Sequence, residues 1–140
     1  MEVDFSFLAD AAEATSGKIY VIGGAFDTIW AQTVPVAHPH LSFVMRLVLS
    51  PAELGQVHKV ELVLVDEDGT RITSVGGNIT VGRQANLPPG WRQGFLTVLN
   101  FANLRFERFG DYSFELIINN SSMKSINLRV AQRVQITSSA

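Results

Sequence analysis

The chain has no cysteine among its 140 residues. That removes disulfides, thiolate metal sites and a cysteine nucleophile, and it permits a reducing compartment. Charge is scarce as well: 13 acidic and 11 basic residues make up 17% of the chain, against about 25% in an ordinary globular domain. Their balance, a net charge of −2 and a pI near 5.9, exerts no long-range pull on phosphate backbones or anionic headgroups. Neither nucleic acid nor a membrane surface is therefore expected as a partner. No apolar run nears the roughly 20 residues of a helical membrane span, and the acidic opening Met1-Glu2-Val3-Asp4-Phe5 has neither the basic nor the apolar region of a secretion signal. A soluble, cytoplasmic protein is the expectation.

Catalytic signatures are missing too. There is no Gly-x-Ser-x-Gly elbow and no Gly-x-Gly-x-x-Gly fingerprint, and Ser16-Gly17-Lys18-Ile19 lacks the upstream glycine and the final hydroxyl of a P-loop. The sequence points away from an enzyme and calls for no cofactor. Metal binding fares no better. His38-Pro39-His40 would put two imidazoles on one side of an extended segment, but a three-histidine zinc site needs His58 nearby and nothing in the sequence brings it there. Asp66-Glu67-Asp68-Gly69 fails as a calcium loop, because Leu64 stands where the first ligand should be and Val75 where the closing glutamate should be. No metal site is expected.

What the chain does have is alternation. Leu41 to Leu49 places apolar residues at every odd position, and Val60 to Leu64, Tyr112 to Ile118 and Ile126 to Val130 follow the same period of two. Lys18–Gly24 and Gly94–Leu99 read as further strands, with weaker candidates at Val3–Leu8, Thr28–Val36, Arg71–Val75 and Asn78–Val81. Between them lie turn residues: Asp66–Gly69, Gly76-Gly77-Asn78, Leu87-Pro88-Pro89-Gly90 and Asn119-Asn120-Ser121-Ser122. About eight short strands in one chain of this length give a single-domain antiparallel β-sandwich over residues 1–140, immunoglobulin-like or jelly-roll. Gly110-Asp111-Tyr112 at the start of a late core strand has the spacing of a tyrosine corner. Two segments carry helical signals. Leu8–Ala14 is alanine-rich, and Ser50-Pro51-Ala52-Glu53 offers an N-cap, a proline at the first helical position and a glutamate at the third. The expected core is Phe43, Met45, Leu47, Leu62, Leu64, Tyr112, Phe114, Leu116, Leu128 and Val130.

A sheet with one wet face should be polar at the alternate positions, yet Val44, Val48, Val63, Val65 and Ile117 occupy them. With the charge deficit, these five mark an expected interface for a second copy of the chain or another protein, unless the segments around 28–36 or 83–91 fold over that face. The expected function is a non-enzymatic interaction or assembly module that self-associates. The alternative is a carbohydrate- or small-ligand-binding sandwich using Trp30 and Trp91, the latter on a loop after Pro88-Pro89-Gly90 unless it folds back to plug one end.

Three stretches carry a resemblance. Leu8-Ala9-Asp10 with Gly17–Asp27, then Asp66–Gly69, then Leu104–Leu116 with Arg108-Phe109-Gly110-Asp111-Tyr112 resemble a group of small bacterial proteins of unknown function, over about Asp4 to Val130. The resemblance implies a stand-alone all-β domain and assigns no catalytic residue. The later half is also similar to the sugar-recognising sandwich domains of polysaccharide exporters, through its strand, Asp-x-Asp-Gly turn and Leu-Pro-Pro-Gly loop.

Overall fold

The computed structural model describes residues 1–134, and among them there is no helix. Nine strands form two sheets: β1 (Glu2–Thr15), β2 (Lys18–Gly24), β3 (Thr28–Ala31), β4 (Val36–Leu49), β5 (Val57–Val65), β6 (Arg71–Thr80), β7 (Gln93–Phe106), β8 (Gly110–Ile118) and β9 (Ser121–Gln132). The four-stranded sheet runs β2-β1-β4-β7 and the five-stranded sheet β3-β9-β8-β5-β6. Every pairing is antiparallel except that of β3 with β9. The ten expected core residues are all buried between the sheets, where Phe114 meets Phe43 and Phe101 at ring distances of 6.3 and 5.4 Å.

The order matches an immunoglobulin sandwich rather than a jelly roll. Strands β1, β4 and β7 take the places of A, B and E, and β9, β8, β5 and β6 those of G, F, C and C′. The tyrosine corner is formed: the Tyr112 hydroxyl donates to the Arg108 carbonyl at 2.7 Å, with the Phe106 ring edge-on at 4.9 Å. Asp66 Oδ1 closes its own turn on the amides of Asp68 and Thr70, both at 2.9 Å. Glu67 accepts from the Asp111 amide at 2.8 Å, and its carboxylate fills the space a side chain on Gly110 would need. Asn119 and Asn120, both at positive φ, make the two-residue β8–β9 turn.

Alternation reverses partway along the first sheet. Leu41 and Phe101 point inward at odd positions, whereas Val36, Leu104 and Phe106 point inward at even ones. Both strands change phase at the same level, where Pro39 stands opposite Asn103, which has a φ of 51°. Proline has no amide hydrogen to offer the ladder, and asparagine tolerates the left-handed region, so this pair accommodates the reversal.

The hairpin of β1 and β2 has an unexpected course. β1 leaves β4 at Ala9, opposite Ser42 and so level with Asn100 of β7. The hairpin tip, Ala14–Lys18, nevertheless stands beside Gln93–Leu96, level with the start of β1. A segment about 20 Å long, at about 3.3 Å per residue, reaches that point only by folding back over the sheet. Val21 and Phe7 both flank Gly24, and Phe7 lies opposite Val44 on the outward face, so that is the face covered. Ala9, Ser42 and Val44 all point outward and are fully buried there. Ala9 on the sheet and Ala12 and Ala14 on the hairpin's inner side let the layers approach closely.

Four sequence expectations are corrected. Leu8–Ala14 is strand: pairing with β4 and β2 outweighs helix preferences of under about 0.7 kcal/mol per residue. Gly76-Gly77-Asn78 is no turn but the middle of β6, where Gly76 passes so close to the Val60 carbonyl that no side chain would fit. The cover on the outward face comes from the β1–β2 hairpin, not from residues 28–36 or 83–91. Pro51–Gly55 makes turns without a helix, although Glu53 Oε1 accepts from the Ser50 amide at 2.9 Å as a capping glutamate would.

Candidate functional site

The five expected interface residues do not form one patch. Val44 and Val48 lie on the outward face of the four-stranded sheet, Val44 beneath the hairpin. Val63, Val65 and Ile117 lie on the outward face of the other sheet, level with Glu115, Ser113 and Glu61 respectively. Val63 is buried at 5% exposure and the remaining three are half-buried. The polar neighbours make this second face an ordinary solvated one, with the Glu115 carboxylate accepting from Ser113 and Ser125.

Apolar groups left in water cluster on the hairpin. Ala11 and Ile22 form one cross-strand pair on its outward side, Glu13 and Tyr20 the next, and Ile22 is 72% and Tyr20 57% exposed. Phe5, stacked on Phe7 at 6.0 Å, adds a partly exposed ring on the same side of the molecule. Sequence alternation alone missed these residues, because Ile19-Tyr20-Val21-Ile22 is apolar at every position and assigns no face.

Trp30 and Trp91 stand at opposite ends of the sandwich. Trp30 pairs with Ala131 near the end of β9, close to the tyrosine corner, whereas Trp91 precedes β7. Each is more than half exposed, so Trp91 plugs nothing; it follows a turn in which its amide bonds to the Pro88 carbonyl. Trp30 borders a cleft of about 410 Å³ with Phe26, Thr28, Gly23, Asp10 and His38. There Asp10 Oδ1 lies 3.7 Å from His38 Nε2, the Asp10 carbonyl meets His40 Nδ1 at 2.7 Å, and the Phe26 and His38 rings are 6.1 Å apart.

His58 lies at the other end of the sandwich from His38 and His40. It is 6% exposed, with Nε2 facing the Glu53 carbonyl at 2.8 Å and Nδ1 facing the Asn119 amide at 3.0 Å. A carbonyl can only accept, so Nε2 carries the proton and Nδ1 accepts from Asn119. His58 thus ties the 51–55 turn to the β8–β9 hairpin. No group of three or more metal-ligating side chains occurs among the described residues. Beside His58, the Glu53 carboxyl is held down at about 2, first by the Met1 ammonium at 2.6 Å and then by the Ser50 amide.

No helix among the described residues is long and apolar enough to cross a membrane. No curated protein matches the chain. A solved structure similar to it is that of the C-terminal domain of wzt, with a TM-score of 0.51 at 14% identity, covering 98% of this chain and 77% of that one. At that identity the likeness is one of fold. The model of a family of unknown function, DUF6941, matches residues 4–131, and the chain therefore belongs to that family.

Proposed function

We propose that this domain is a non-enzymatic interaction and assembly module of the cytoplasm that associates with copies of itself. The observation that supports this reading is the hairpin's outward side, where Tyr20 and Ile22 stand in solvent on a layer that already covers one sheet. Burying a side chain of this size contributes about 1.5–3 kcal/mol, and a chain with so little charge has few groups to oppose contact. Light scattering over about a hundredfold concentration range tests it. A mass rising above 15.4 kDa supports the reading, and a monomer at every concentration overturns it.

A second reading, a carbohydrate- or small-ligand-binding sandwich, is favoured by the Trp30 cleft, which sets an indole beside the Asp10–His38 pair. The tryptophans are too far apart to share one ligand, so Trp30→Ala and Trp91→Ala separate their contributions. A glycan array signal lost with Trp30→Ala alone supports the cleft, and no signal from the unaltered protein rejects it.

A further inference from the structure

An immunoglobulin sheet of this type continues past its E strand to a D strand. Here β7 occupies the E position, and the segment between β6 and β7, residues 81–92, is loop. β7 is therefore a sheet edge, paired with β4 on one side only; the hairpin tip and residues 80–84 flank its start at Gln93–Leu96, and the edge is open from Thr97 onward. Among the described residues, no backbone or side-chain hydrogen bond reaches the main chain of residues 94–105 from outside the ladder.

Natural edges are blunted by charge, proline, bulges or shortness. The other edges of this molecule have such devices: β3 has four residues, β2 carries Lys18 and ends in Gly23-Gly24, and β6 carries Arg71 and the Gly76-Gly77 pair. From Gly94 to Asn103 β7 has neither charge nor proline. Its side chains from Phe95 to Leu99 are all half-buried, Phe95 and Leu99 against the core and Leu96 and Val98 on the outward side.

We infer that β7 pairs antiparallel with β7 of a second copy, about a twofold axis within Thr97–Phe101, clear of the hairpin tip, joining two four-stranded sheets into one of eight. The occupant must be a strand, because the open groups are a row of backbone donors and acceptors. It must be uncharged, because any charge would lie among apolar side chains. The β7 of another copy meets both demands, and self-pairing about a twofold uses up both open edges, so assembly stops at a dimer. This inference rests on the self-association reading and places a contact on the β7 edge, separate from the hairpin's outward side.

Because the chain has no cysteine, single cysteines report the contact without interference. Cysteines placed one at a time at 97 to 101 are oxidised at a concentration where light scattering shows association, with Asn78→Cys on β6 as control. Covalent dimer should peak at one β7 position, fall away on both sides and stay near background at Asn78→Cys. In parallel, Val98→Lys should raise the dimer dissociation constant about tenfold or more while the circular dichroism spectrum stays unchanged. Association that persists with no β7 cross-linking and an unaltered constant in Val98→Lys overturns the β7 contact and leaves self-association standing. A monomer throughout overturns both.

Discussion

Tyr112→Phe removes one oxygen and leaves the ring where it is, so it isolates the hydrogen bond that closes the tyrosine corner. The hydroxyl donates to the Arg108 carbonyl at 2.7 Å from a residue only 5% exposed. Such a bond contributes about 0.5–1.5 kcal/mol net, and an acceptor left shielded without a donor costs about 1–3 kcal/mol more. Arg108 itself is exposed, so water reaches part of the corner and the expected loss is about 1–2 kcal/mol. For a chain of this length that corresponds to a fall of about 3–7 °C in Tm. Urea unfolding is the assay: the midpoint should move while the slope stays constant, since the area exposed on unfolding does not change. Tyr112→Leu should cost about 3 kcal/mol or more, because it also empties the space beside Phe106. A loss below about 0.5 kcal/mol in Tyr112→Phe would refute the argument that this bond holds the β7–β8 crossing.

Other outcomes follow from the same reasoning. Glu53 is held at about 2 rather than 4.5, so its contribution is complete above about 4.5 and is lost as pH falls from there towards 2. Glu53→Gln should lose about 1–2 kcal/mol at neutral pH, discounted for partial solvation, and the gap to the unaltered protein should close by about pH 2 in acid titration of unfolding. Gly110→Ala should cost about 2–4 kcal/mol by thermal unfolding, because a φ of 142° suits only glycine and the new methyl would displace the Glu67 carboxylate from the Asp111 amide. Val63→Lys, at a position buried in the monomer, should lower urea stability by about 1 kcal/mol or more without changing the solution mass at a given concentration.

The sandwich was legible because its central strands announce themselves: Leu41–Leu49 and Tyr112–Ile118 place an apolar residue at every second position, and those inward residues are the core. The tyrosine corner was legible from three residues, Gly110-Asp111-Tyr112. Interface residues were harder. An outward valine reveals which side of a strand it occupies, but not which sheet the strand joins, so Val44 and Val63 could not be assigned to opposite faces. The hairpin was hidden for a different reason. Alanine favours helix in isolation, and only the register with β4 and the place of Thr15 beside the start of β7 show that this stretch is a strand laid over its own sheet. Openness of the β7 edge depends on what the loop before it does not do, a long-range property with no local signal.

Pro39 and Asn103 make two strands interdependent in a way that bears on how this sequence can change. The spacing from His38 to Leu41 and from Phe101 to Leu104 is three residues instead of two, and the two extra residues face each other. Removing one residue from β4 alone would turn Val36 away from the core while Phe106 stayed inside, leaving a cross-strand pair with its members on opposite sides. Removing one from each strand at this level would restore a straight, matched pair. Length changes here are therefore tolerable only as coupled edits some 64 positions apart in the chain, like two teeth dropped together from a zip.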